Sequence, residues 1–134
     1  MALVAPNVGV QEILRRALNY SATGNVVLRL YSSNTTPGET DTTATYTEAT
    51  FTGYSAITLT GASWTVTNAD PSVASYAEQT FTSSAGSQNQ AIYGYYVTNA
   101  AGTVLMRAER FTDGPYTIVN NGDAIKVTPQ ITLD

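Results

Sequence analysis

The residues that most restrict the fold lie at the C-terminal end. Ile125, Val127, Ile131 and Leu133 hold odd positions and are apolar, whereas Lys126, Thr128, Gln130 and Thr132 hold even positions and are polar. A period of two is that of a β-strand with one face in a core and the other in water. A helix would scatter the same side chains around its axis. Pro129 interrupts the run; with no N–H to donate to a ladder, it is expected at a sheet edge or a bulge.

The same period recurs upstream. Residues 25–32 place Val26, Leu28 and Leu30 on one face and Val27, Arg29 and Tyr31 on the other. Residues 55–60 group Ile57 with Leu59, and residues 63–67 group Trp64 with Val66. Further strands are expected over 75–82, 90–99, 103–111 and 116–119. Turn signals separate them: Asn99-Ala-Ala-Gly102, Asn120-Asn-Gly-Asp123 and Thr60-Gly-Ala62, with glycine free to take positive φ. About eight short strands spaced by turns predict an all-β chain, a single-domain β-sandwich of jelly-roll-like kind.

One segment departs from this period. After Asn7, a candidate N-cap, Val10, Ile13, Leu14, Ala17 and Leu18 recur at spacings of three and four, which predicts a short amphipathic α-helix. Glu12 and Arg16 form an i,i+4 pair in the favourable order. The expected organisation is an N-terminal arm and helix over 1–24, covering its own sheet or docking on a neighbour, followed by a β-sandwich over 25–134.

Composition narrows the chemistry. The chain has no cysteine, no histidine and one lysine, Lys126, which removes Cys/His metal sites, disulfide frameworks and histidine-based nucleophile systems. Charged residues make up 12% of the chain, against about 25% in an ordinary domain; hydroxyls and amides must do the solvating. A net charge of −4 has the wrong sign for tracking phosphates, so no nucleic-acid partner is expected. No stretch reaches the roughly 18 apolar residues of a membrane span. The opening Met1–Pro6 is apolar but short, with no basic residue before it. Synthesis in the cytoplasm without a secretory leader is therefore the expectation.

Few residues are candidates for a site. Glu39, Asp41 and Glu48 cluster in the long Thr-rich segment 35–50, where an exposed setting does not raise a carboxyl pKa for general-acid work. A contact loop, or an edge strand in part, is the better reading of that segment. Calcium ligation by Glu39 with Asp41, or by Asp113 with Asp123, lacks the spacing of a calcium loop, and Asp113-Gly-Pro115 reads as a turn. Lys126 sits on a polar strand face with no nucleophile motif around it. Arg107 and Glu109 share a face of their strand and suit a cross-strand or subunit-crossing ion pair. Tyr93, Tyr95 and Val97 line another face, as core, interface or stacking platform. Asn19-Tyr-Ser21 and Asn34-Thr-Thr36 match the glycosylation acceptor pattern, which a cytoplasmic product does not use. No cofactor and no metal ion is called for.

Several stretches resemble small β-rich virion proteins of tailed bacteriophages. They are Thr47-Glu-Ala-Thr-Phe-Thr-Gly-Tyr54, Gln90-Ala-Ile-Tyr-Gly-Tyr-Tyr-Val97, Ala108-Glu-Arg-Phe111 and Gly122-Asp-Ala-Ile-Lys-Val-Thr-Pro-Gln-Ile-Thr-Leu133. The opening Ala5-Pro-Asn-Val8 fits as well. The resemblance implies a structural protein without catalysis, located in the virion: a capsid decoration (cement) protein that bridges capsid subunits. The alternative it leaves is a tail-fibre or head-fibre module that recognises host surface glycan through tyrosines. It further implies a homotrimer whose partner is the major capsid protein or another virion protein. Leu3, Val4 and Pro6 of the arm, with Glu39, Asp41, Tyr46 and Glu48 of the long loop, are then the expected contact residues.

Overall fold

The computed structural model describes Leu14 and residues 25–133. The expected N-terminal helix and the arm residues Leu3, Val4 and Pro6 lie outside the described residues; Leu14, from that stretch, is buried. The described chain is all-β, with eleven strands and two short 3-10 turns, Thr43–Thr45 and Gly61–Ser63. Its residues fall into two compact units, one of 26–58 with 80–126, the other of 59–79 with 127–133.

A four-stranded sheet runs in the order β2 (Ile57–Leu59), β1 (Val26–Tyr31), β7 (Gly94–Asn99) and β8 (Leu105–Arg110), and all of β1, β7 and β8 belong to the larger unit. β1 and β7 are antiparallel over six pairs, from Val26 opposite Asn99 to Tyr31 opposite Gly94. Val26, Val27, Leu28, Leu30 and Tyr31 are all buried, so β1 is covered on both faces, as apolar residues at consecutive positions require. Arg29 is the polar exception, and the candidate site forms around it. β8 closes the sheet as an edge strand, antiparallel to β7, with a bulge where the register shifts between Val97 and Thr98.

The expected strand over 90–99 is two strands. β6 (Gln90–Ile92) pairs with β9 (Tyr116–Ile118), and β7 pairs with β1 and β8. The partner changes at Tyr93, whose N–H donates to the Tyr31 carbonyl and whose carbonyl accepts from Phe111 N–H. The turn at Asn120–Asp123 forms as expected, closed by Asp123 N–H to the Asn120 carbonyl at 3.2 Å with Gly122 at φ +92°. The strands it joins do not pair with each other. β9 goes to β6, and β10 (Ala124–Val127) goes to β5 (Gln79–Thr82).

The smaller unit holds a three-stranded sheet in the order β11 (Gln130–Leu133), β4 (Ser72–Ser75) and β3 (Thr65–Thr67). The expected strand over 75–82 is broken here as well, because Tyr76 leaves the ladder. Its N–H donates to the Pro129 carbonyl, its hydroxyl accepts from Thr60 N–H, and its ring meets Trp64 edge-on at 5.2 Å. The alternation over 125–132 is present: Ile125, Val127 and Ile131 are buried, while Lys126, Thr128, Gln130 and Thr132 are exposed. Pro129 directly precedes β11, an edge strand of its sheet, in keeping with the expected sheet-edge position. It is fully buried and stands where the chain leaves β10, paired with β5, for β11, paired with β4. A residue with no N–H costs no ladder bond at such a change of partner.

Candidate functional site

Segment 35–50 is exposed over much of its length, but its end is paired, in keeping with an edge strand in part. Ser32 N–H donates to the Thr47 carbonyl at 2.8 Å and Ala49 N–H to the Leu30 carbonyl at 3.0 Å, around an antiparallel bridge between Tyr31 and Glu48. These bonds lay the end of the segment along β1. Glu48 thereby meets Arg29, whose Nη1 donates to its two carboxylate oxygens at 2.8 and 3.0 Å. The Tyr54 hydroxyl donates to Oε1 of the same carboxylate at 2.8 Å and accepts from Leu30 N–H at 3.2 Å. Burial, then the bond to Glu48, pushes the Tyr54 phenol far above its ordinary range. Glu48 is thus held by a cation and a permanent donor.

Asp41 is held by a different tyrosine. The Tyr46 hydroxyl donates to its Oδ2 at 2.6 Å and Gly38 N–H to the same oxygen at 2.8 Å. These two bonds lower the Asp41 carboxyl, the tyrosine bond most, while burial and the same carboxylate raise the Tyr46 phenol. Tyr46, expected at a contact surface, is only 6% exposed. Its ring stacks on Tyr96 at 5.2 Å and leans on Tyr31 at 4.9 Å. The physical reason is apolar area: a tyrosine ring is large enough that placing it in a core with its hydroxyl bonded outweighs leaving it wet. Glu39, on the turn preceding Asp41, is exposed.

Asp41 and Glu48 therefore stand as acceptors for separate phenols, and the Asp41 carboxyl is lowered, the opposite of what a general acid needs. The alternative acceptor, Asp123, is engaged by its own turn: Val119 and Asn120 N–H donate to it at 2.9 and 2.7 Å and lower its carboxyl. Among the described residues no group of three or more carboxylates is placed to hold a metal ion.

The platform expected at Tyr93, Tyr95 and Val97 is occupied by the protein itself. Arg110 lies over the Tyr93 ring at 5.0 Å and donates to the Thr35 carbonyl and to Asn34 Oδ1, at 3.0 and 2.7 Å. The Tyr95 hydroxyl donates to Glu109, and Val97 is buried. Lys126 lies on the exposed face of β10, as its alternation requires.

Two features were not legible as sites. Where β9 and β10 diverge, a pocket of about 460 Å³ opens, lined among others by Phe111, Tyr116, Ile118, Asp123 and Ile125; only the pairing of each strand with a different partner creates it. The other is the outer margin of β8. Val104 and Met106 are 55% and 41% exposed there, beside Arg107, whose guanidinium is partly desolvated and lowered by burial. Among the described residues no carboxylate pairs with Arg107. Only the Arg107–Glu109 alternation hinted at this surface. In comparisons with protein-family models, with curated proteins and with solved structures, none matches this chain.

Proposed function

We propose that the chain is a structural component of a virion, a capsid decoration protein that bridges capsid subunits. In this reading it is not an enzyme, needs no cofactor, binds neither nucleic acid nor membrane, and its sheets are parts of a jelly-roll-like sandwich. It is made in the host cytoplasm and taken up on the particle. Its partners are the major capsid protein and further copies of itself, three by the phage-protein resemblance.

The observation that carries the reading is the margin of β8. An edge strand offers unpaired backbone groups, and here exposed apolar side chains stand on it at Met106 and just before it at Val104. Such a margin is an interaction surface in waiting. The sparse charge and the internal engagement of Glu48, Asp41 and Asp123 support the same reading, since they are spent on rigidity and not on turnover. Binding that occurs only on the assembled lattice stabilises the lattice by mass action, and several copies multiply a modest contact by avidity.

The test is the position of labelled protein on purified particles, together with removal of residues 1–7. Location on the head, with retention lost on truncation, is the expected result. Undiminished retention removes the arm's role. Binding of isolated protein to a glycan array, with no affinity for capsids, replaces the reading with a receptor-binding fibre module.

A further inference from the structure

Strand β8 is complementary to itself. Phe111 N–H donates to the Tyr93 carbonyl, and the register continues with Glu109 opposite Tyr95 and Arg107 opposite Val97. Alternation along an antiparallel ladder therefore turns the backbone groups of Arg107 and Glu109 toward β7 and those of Ala108 and Arg110 outward. A second copy of β8 laid antiparallel along this margin must pair through the outward groups. Centred on Arg107, Glu109 or Arg110, the two-fold pairing sets like charges opposite. Centred on Ala108, it makes Ala108–Ala108 the hydrogen-bonded pair. Arg107 of each copy then stands opposite Glu109 of the other in the closer, non-hydrogen-bonded positions.

We propose that two copies of this chain associate through β8 in that register, giving a continuous sheet across a two-fold axis with two reciprocal Arg107–Glu109 pairs. The contact answers the observations on each side of it. It supplies a carboxylate to Arg107, which has none among the described residues. It saturates an open edge and draws the exposed Met106 toward the Arg110 stem of the other copy. Glu109 already accepts from Tyr95, and a carboxylate has lone pairs for both partners. Such a contact is isologous, so it joins copies in pairs, including copies that belong to neighbouring trimers. The inference rests on reading the β8 margin as an assembly surface.

A charge-exchange series on the full chain tests it, with mass in solution read by analytical ultracentrifugation across a concentration range. The wild type is expected to associate into even-numbered species. Arg107→Glu places carboxylates opposite carboxylates, and Glu109→Arg places guanidinium groups opposite guanidinium groups. Each variant alone is expected to lose association by about tenfold or more. Mixing the two variants makes every opposed pair complementary and is expected to restore a 1:1 species. That recovery also shows that neither variant has merely unfolded. A wild type that is monomeric or strictly trimeric at all concentrations overturns the proposal, as does a mixture that fails to recover. Failure to bind particles with this association intact would overturn only the virion reading.

Discussion

Tyr31 lies across Gly94. The two residues face each other in the β1–β7 register, and a Cβ at Gly94 would come 2.6 Å from the Tyr31 hydroxyl oxygen and 2.7 Å from its Cε1. The glycine here is a matter of space: its bare Cα lets the Tyr31 ring cross the strand and join Tyr46 and Tyr96 in one cluster. The carbonyl of Glu109 crowds the same position from the other neighbouring strand.

Gly94→Ala is therefore expected to destabilise by about 1–3 kcal/mol through overpacking, with the melting temperature down by roughly 4–12 °C. Thermal unfolding followed by far-UV circular dichroism reads it. Gly86→Ala is the control, since nothing stands within 4 Å of a Cβ there; an equal loss in both would remove the steric account.

The Arg29–Glu48–Tyr54 group is expected to behave as one unit. Glu48→Ala leaves a half-buried guanidinium and a phenol without their acceptor, a loss of about 1–3 kcal/mol. Arg29→Ala and Glu48→Ala should not add. A coupling of about 0.5–3 kcal/mol is expected from a double-mutant cycle in urea. Additivity within error would show that the bridge is geometry without energetic coupling.

Acid should weaken the fold through Asp41 and Asp123. Both carboxyls are lowered in the folded chain, Asp41 chiefly by the Tyr46 hydroxyl and Asp123 by the Asn120 and Val119 amides. A carboxyl lowered by folding contributes stability above its unfolded pKa, and that contribution disappears as pH falls through the folded value. The melting temperature is thus expected to drop below about pH 4, and Asp41→Asn with Asp123→Asn to flatten the drop. At the alkaline end the sign reverses. The Tyr46, Tyr54 and Tyr95 phenols are raised, so their contribution is present below about pH 10 and is lost as pH climbs through the folded values.

Trp64 is the single tryptophan of the chain, and it lies buried in the smaller unit with its Nε1 unpartnered among the described residues. Its emission should be blue-shifted, shielded from acrylamide, and specific for that unit. A buried donor without an acceptor costs about 1–3 kcal/mol. Trp64→Phe removes that cost along with some packing area and should stay within about 1 kcal/mol of wild type, whereas Trp64→Ala should lose about 3–5 kcal/mol. A Trp64→Phe loss as large as that of alanine would mean that the N–H is satisfied.

Local period and turn chemistry in the sequence by itself determined the all-β class, the turns at Asn99–Gly102 and Asn120–Asp123, and the buried face of residues 125–131. Those features depend on side chains two apart and on glycines at positive φ, which neighbouring residues dictate without help from the rest of the chain. Tertiary structure alone decided which strand pairs with which. One apparent strand divides at Tyr93 and another at Tyr76 because backbone groups distant in sequence claim those residues. The strands on either side of Pro129 belong to different sheets, although their alternation is continuous. Tyr46 and Glu48 show the same division of labour. A Thr-rich, acidic stretch reads as solvated, yet a tyrosine ring can be buried, and a carboxylate near Arg29 has a partner no local pattern announces. Pairing and burial are decided by area and charge brought together over long separations, and a sequence displays the residues without displaying the distances.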